Sequence, residues 1–213
     1  NKACGVTAAA SALRSLGLQI TPDMLALPPC SGSFVLTDIN TGKVKALVSY
    51  PGYDANQINN VSYYASLINN SSSPLYNRAT QQTLAPGSTF KPISAIAGLE
   101  EGVIDADTYI TDYVEYTKVV PHANCWNSAG HGTINVEQAI EYSCNYFFYE
   151  VGYRLGSKNN TTELSDSTGL ALLAKYAKMF GLDSVSGLEL PETTPRISDE
   201  SVVRSAIGQA THN

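Results

Sequence analysis

"APGSTFKPISAIAGLEEG", residues 85–102, places Ser88 and Lys91 three positions apart just where a helical apolar pattern begins. Ile93, Ile96, Ala97 and Leu99 fit one helical face better than a strand, and Pro86-Gly87-Ser88 predicts a turn into that helix. Positions i and i+3 lie on the same side of a helix, so a hydroxyl and an amine would be presented together. A serine hydroxyl is a poor nucleophile until a base removes its proton. Lysine does this only when neutral, and at its reference pKa only about one lysine in a few thousand is neutral at pH 7. Burial among residues such as Phe90 and Ile93 would lower that pKa. The helix N-terminus would offer N–H groups to an oxyanion. Taken alone, S-x-x-K is common, and a serine before a helical pattern is ordinarily a cap.

The surrounding chain reads as α+β. Upstream, "SFVLTDI" (33–39) and "KVKALVSY" (43–50) alternate as strands about an "NTG" turn. "PGYDANQINN" (51–60) and "NNSSSP" (69–74) read as turn and loop, and residues 105–133 as extended or irregular. Downstream, "NVEQAIEYS" (135–143), "NYFFYEVGYRLG" (145–156) and "LALLAKYAKMFGL" (170–182) read as helices, the last closed near Gly181. "ESVVRSAIGQ" (200–209) is a short helix or turn. At the start, residues 7–17 predict an amphipathic helix and the Pro-rich stretch to Ser33 a linker.

The 213 residues suffice for one core, and 43% hydrophobic with 15% charged residues is ordinary globular composition. A net charge of −6 with no basic stripe excludes nucleic acid as the main partner. No apolar run is long enough to span a bilayer, and no signal peptide is visible. A chain that opens at Asn1 rather than methionine is expected to be an excised portion of something longer. Cys4, Cys30, Cys125 and Cys144 lack the short paired spacing of a zinc site, and they are expected to be free or structural, so no metal and no cofactor is expected. His122, His131 and His212 are widely separated and read as structural or solvent-facing. Asp54, Glu100 and Glu101 read as turn or helix-surface charges. Trp126 and the run Tyr146-Phe147-Phe148-Tyr149 read as core packing.

A second motif changes the weight of the first. Ser143-Cys144-Asn145, an S-x-N, follows Lys91 by 52 residues, in the break between two helical patterns. S-x-x-K with S-D-N and K-T-G is the signature of penicillin-binding proteins and class A β-lactamases. From Ser33 to His212 the chain resembles the transpeptidase domain of class B penicillin-binding proteins. The resemblance runs through "TDINTGKVKALVSYPGYD", "NRATQQTLAPGSTFKPISAIAGLEEGVI", "CWNSAGHGTINVEQAIEYSCNYFFYEVG", "LAKYAKMFGL" and "SAIGQATHN". "GHG" and "VSYPGYD" look most like the PBP2-like, elongation-type branch.

That resemblance implies the penicillin-binding protein/serine β-lactamase-like fold, with residues 1–32 a segment of uncertain role and 33–213 a partial transpeptidase domain. Ser88 would be the acylated nucleophile and Lys91 its base. Ser143 would relay protons, and Asn145 would bind the substrate peptide. Peptidoglycan stem peptides and β-lactams would be the ligands, with a SEDS-family glycosyltransferase as partner and a membrane anchor holding the protein outside the cytoplasm. One departure stands out: none of the eight lysines is followed by Ser/Thr-Gly, the family's third motif. The fold is therefore expected to be incomplete, its C-terminal strands missing, and the chain inactive by itself. A serine β-lactamase or β-lactam sensor and a non-catalytic scaffold are the rival classes.

Overall fold

The computed structural model describes residues 31–158 and 163–210. The helix expected over 7–17, the linker up to residue 30, Cys4, Cys30 and His212 lie outside these residues, and the last two residues of the expected linker, Gly32 and Ser33, instead begin the first strand. The chain divides into two compact units, one running to Gln82 with Gly187–Thr193 and one holding Thr83–Ser186 with the chain from Thr194 onward.

The first unit is built on the expected hairpin. Strand β1 (Gly32–Thr37) pairs antiparallel with β2 (Val44–Tyr50), Ser33 opposite Ser49 and Val35 opposite Leu47, with an irregularity between Leu36 and Thr37. Alternation sets the faces: Phe34 and Leu36 are half-buried, while Ser33, Val35 and Thr37 point outward. Asp38 makes the turn, its Oδ1 accepting the N–H groups of Asn40 and Thr41 at 3.0 Å each. A helix that the sequence did not announce follows, α1 (Val61–Ile68), capped by the Asn60 side chain. Asn77 caps α2 (Arg78–Gln81) and also accepts from Ser49 Oγ at 2.9 Å, which fastens this helix to β2. The buried Arg78 guanidinium is satisfied by the carbonyls of Ser72 (2.7 Å) and Ser73 (3.0 Å).

The second unit is a helical cluster with short strand pairs. Helix α3 (Lys91–Glu100) is led in by a 3₁₀ turn, Gly87–Phe90, and carries Pro92 in its first turn, where its missing N–H costs nothing. Strand β3 (Ile110–Asp112) pairs with β6 (Gly132–Ile134), and β4 (Glu115–Tyr116) with β5 (Ala123–Asn124). Helix α4 (Val136–Glu141) opens with a capping box in which Asn135 and Gln138 exchange side-chain-to-backbone bonds. The central helix is α5 (Asn145–Gly156), packed by α3, by α6 (Asp166–Met179) and by α7 (Val202–Ser205).

The sequence of α5 explains its position. Phe147, Phe148, Val151 and Leu155 are fully buried against Leu173, Ala177, Val202 and Val203, each large side chain contributing about 2–3 kcal/mol by area. Gly152 lets α7 approach, since a Cβ there would lie 2.8 Å from the Val202 carbonyl. Buried Glu150 receives Tyr116 Oη (2.8 Å), Lys118 Nζ (2.8 Å) and Arg154 Nε (2.9 Å). Burial alone pushes its carboxyl up, but these bonds outweigh burial and hold it below its usual value.

Two contacts set the start of α3. Ser94 Oγ donates to the Ala206 carbonyl at 2.7 Å, and Gly87 N–H donates to the Gly208 carbonyl at 2.9 Å. Gly208 has φ +70°, and a Cβ on it would sit 2.0 Å from the Gly87 oxygen. Gly208→Ala therefore meets both a left-handed backbone, which costs about 1–2 kcal/mol for an L-residue, and a backbone clash. The variant should melt several degrees below the parent, and an unchanged melting temperature would show that the Gly87 turn is not tied this way.

Candidate active site

Lys91 is 2% exposed, and its ammonium is held by three oxygens of one short segment. Nζ donates to the Ser143 carbonyl at 2.7 Å, to Ser143 Oγ at 3.0 Å and to Asn145 Oδ1 at 2.7 Å. Three N–H donors meet three acceptors, which satisfies a charge taken out of water.

The segment takes this shape because α4 ends in a reversing cap. Ser143 N–H donates to the Ile140 carbonyl (3.1 Å) and Cys144 N–H to the Ala139 carbonyl (2.9 Å), the paired bonds of a Schellman motif. The motif needs a left-handed residue, usually glycine, yet Ser143 occupies it with φ +53°. The strain delivers a hydroxyl to the lysine. Cys144 then caps α5, its sulfur accepting from Phe147 N–H at 3.4 Å, and Asn145 is the first residue of that helix.

Burial lowers the Lys91 amine to about 8, against the opposing pull of Cys144 and Cys125. A pKa of 8 leaves roughly a tenth of the lysine neutral at pH 7, roughly two hundred times the fraction of a free lysine. Ser88 lies one turn earlier in the 3₁₀ segment, its carbonyl accepting Lys91 N–H. Its side chain is exposed and, among the described residues, its hydroxyl has no hydrogen-bond partner. The fold thus gathers Lys91, Ser143 and Asn145 into one network, and the exposed Ser88 precedes Lys91 by one 3₁₀ turn. The arrangement offers an open hydroxyl, a lysine with a lowered pKa and a second hydroxyl able to pass a proton on.

A second cluster lies directly behind. One ligand atom from each of Asp112, Cys125, His131 and Cys144 falls within 4.8 Å of all the others. His131 Nδ1 is 2.7 Å from Asp112 Oδ2 and 3.5 Å from Cys125 Sγ, Cys144 Sγ is 3.4 Å from Asp112 Oδ2, and the two sulfurs are 3.9 Å apart. Burial pushes the Asp112 carboxyl up, but the hydrogen bond from His131 and its other partners hold it below its usual value. Two thiols, an imidazole and a carboxylate are the donor set of a four-coordinate zinc site, and all four are held by backbone elements that converge here. These residues could hold such an ion. Spacing along the chain hid the group because its members come from β3, the loop after β5, the approach to β6 and the cap of α5.

Other expectations resolve more simply. Trp126 is not in the core: it is 64% exposed, because its N–H reaches the carbonyls beside α4 rather than the interior. Phe147, Phe148 and Tyr149 are buried as expected, and Tyr146 is partly buried. His122 pairs with Glu115 at the surface, whereas His131 is buried in the cluster just described. Asp54 caps a 3₁₀ turn. Glu101 is held near 2 by hydrogen bonds from Lys158 first, then Lys175 and Tyr176.

With this geometry in place, comparison with known proteins is decisive. The family model for the penicillin-binding protein transpeptidase domain matches residues 32–212. The chain belongs to this family. Among its relatives, the peptidoglycan D,D-transpeptidase MrdA of Acinetobacter baumannii is 33% identical over 165 residues, covering 75% of this chain and 23% of that protein. MrdA of Escherichia coli K12 is 35% identical over 163 residues, 74% of this chain and 24% of that protein. The solved structure of Pseudomonas aeruginosa PBP2 in complex with WCK 5153 matches with a TM-score of 0.73 at 26% identity, over 86% of this chain and 43% of that one. The imipenem acyl-enzyme of penicillin-binding protein A from Mycobacterium tuberculosis matches with a TM-score of 0.72 at 29% identity, over 86% and 43%. The chain is thus a PBP2-like class B transpeptidase domain in part, and it spans about a quarter of the length of the curated relatives it matches. No described helix is long and apolar enough to cross a membrane.

The buried cluster makes its own prediction for this penicillin-binding protein domain. Zinc added to the metal-free protein should bind at one equivalent and protect Cys125 and Cys144 from alkylation in the folded state. Alkylation at the same rate with and without zinc would show that the four side chains only pack together.

Proposed function

We propose that the protein carrying this chain is a peptidoglycan D,D-transpeptidase in which Ser88 is acylated by D-Ala-D-Ala stem peptides or by β-lactams. The observation that carries this reading is the hold of Lys91 Nζ on Ser143 and Asn145, with the exposed Ser88 one 3₁₀ turn before the lysine. Residues 33–213 supply this part of the domain, and residues 1–32 are a segment of uncertain role. None of the eight lysines of the sequence is followed by Ser/Thr-Gly, and a K-[ST]-G strand of the family's kind would complete the site. By the habit of the family, the protein works outside the cytoplasm on a membrane anchor, beside a SEDS-family glycosyltransferase.

In the first half-reaction neutral Lys91 takes the Ser88 proton as Oγ attacks the carbonyl of the penultimate D-Ala. The Ser88 N–H, on the helix-leading turn, faces the oxyanion that forms. Collapse breaks the C–N bond, and the departing D-Ala amine receives a proton from Lys91 through Ser143 Oγ. In the second, an acceptor amine attacks the acyl-enzyme, its proton returns along the same path and Ser88 leaves. Asn145 shares its side-chain oxygen with Lys91 and has its amide N–H₂ to give to the substrate backbone. A divalent ion, when bound by Asp112, Cys125, His131 and Cys144, would supply a rigid cross-link behind the Ser143 segment.

The full-length protein should label covalently with a fluorescent penicillin, and Ser88→Ala should abolish the label. Lys91→Ala should slow acylation at least a hundredfold, the scale of a lost general base. Because the protonated lysine cannot accept a proton, acylation should rise about tenfold per pH unit up to the Lys91 value of about 8 and level off above it. A folded full-length protein that takes no label would instead indicate a non-catalytic scaffold, and an acyl-enzyme hydrolysed within seconds would indicate a β-lactamase.

A further inference from the structure

Trp126 is the only tryptophan of the chain, and its placement is at odds with its size. With 64% of its surface exposed, burial does not account for an indole at this position. Its polar end, by contrast, is fully engaged. Nε1 lies 3.2 Å from the Tyr142 carbonyl and 3.1 Å from the Ser143 carbonyl. Both oxygens belong to the exit of α4, where helix carbonyls have no partner of their own. The Ser143 carbonyl is the same one that accepts from Lys91 Nζ at 2.7 Å. One oxygen is therefore held between the indole and the lysine.

The indole itself is held in place. His131 meets its ring edge-on, with centroids 5.3 Å apart and planes at 62°. His131 also lies parallel to Tyr142, 6.1 Å away at 5°, and is anchored on Asp112 at 2.7 Å. A swing of Trp126 away from Ser143 would disturb this stack.

The need for a second donor follows from proton counting. As an ammonium, Lys91 has three N–H groups for three acceptors; as the amine that activates a serine, it has two. One of its three N–H bonds must then be given up so that the lone pair is left for the Ser88 proton, and the Ser143 carbonyl is one of the acceptors that can lose it. Ser143 is in a left-handed conformation that an L-residue does not choose, so a slackened carbonyl leaves it free to relax. An indole N–H does not titrate in this range and keeps its bond in both states.

We propose that Trp126 is a positioning residue for acyl transfer: its N–H fixes the Ser143 carbonyl and so keeps Ser143 Oγ on Lys91 while the lysine changes protonation. The inference rests on the reading of Ser88, Lys91 and Ser143 as the acyl-transfer site. It goes beyond that reading by giving a task to a residue that touches no reacting atom.

The test uses the full-length protein with Trp126 replaced by β-(3-benzothienyl)alanine, which keeps the bicyclic ring and exchanges N–H for sulfur, and, separately, Trp126→Phe. Acylation by benzylpenicillin is followed at rising concentrations, so that the binding constant and the limiting acylation rate are obtained separately, beside the melting temperature. The benzothienyl variant should keep the parent's binding constant and melting temperature and lose roughly three- to tenfold in limiting rate, the scale of one net hydrogen bond. Trp126→Phe should lose at least as much. A benzothienyl variant that acylates at the parent rate overturns the proposal. So does one whose rate and melting temperature fall together, since that is a structural role. A parent protein that benzylpenicillin does not acylate overturns the underlying site reading, and that outcome is distinguishable because it is seen without any substitution.

Discussion

A lysine side chain removed from water and held by one short segment is the constraint on which the rest of this structure depends. Lys91 Nζ has its three hydrogen bonds to Ser143 and Asn145 and to nothing else among the described residues. An ammonium buried without such partners would cost several kcal/mol, so the segment must return to the same place in every folded molecule. Its geometry explains the neighbouring choices. Helix α4 has to end in a left-handed residue that carries a hydroxyl, and α5 has to begin at Asn145 with its apolar face sunk among α3, α6 and α7. The start of α3 is fixed from the far side by Gly208 and Ala206.

Much of this frame is written in local patterns. The α5 stretch 145–156 and the 33–50 hairpin are legible because side-chain period, turn residues and boundaries agree, and the structure follows them closely. The pairing of S-x-x-K with S-x-N was legible as a motif, although nothing local says that their side chains meet. Helix α1 escaped notice because its apolar residues lie beside a run of Asn and Ser that reads as loop, while its decisive signal is a single asparagine cap. The Asp112/Cys125/His131/Cys144 group was illegible for a different reason. Its donors are spread over 33 residues and meet only after β3, β5, β6 and α5 have assembled.

The residues that violate local preference are gathered at one place. Ser143 sits where glycine is preferred, Lys91 is buried, and Trp126 is exposed. Each is unfavourable alone, and each is compensated by another: the lysine by the serine, the serine by the indole, the indole by the His131 stack. Such conflicts concentrate at functional sites because chemistry there requires geometry that folding would not choose. The rest of the second unit is consistent at every level, with paired buried charges at Glu150 and a closely packed apolar helix.

The central claim is that this setting holds the Lys91 amine far below the usual lysine range, as the proposed acyl transfer requires. The direct measurement is a titration of the protein labelled at lysine Cε, followed by carbon-detected or proton–carbon correlation NMR, with the Lys91 signal assigned by its loss in Lys91→Met. The account predicts one lysine that titrates at about 8, assigned to Lys91. A Lys91 signal that titrates above about 10, where an unperturbed lysine does, would contradict it.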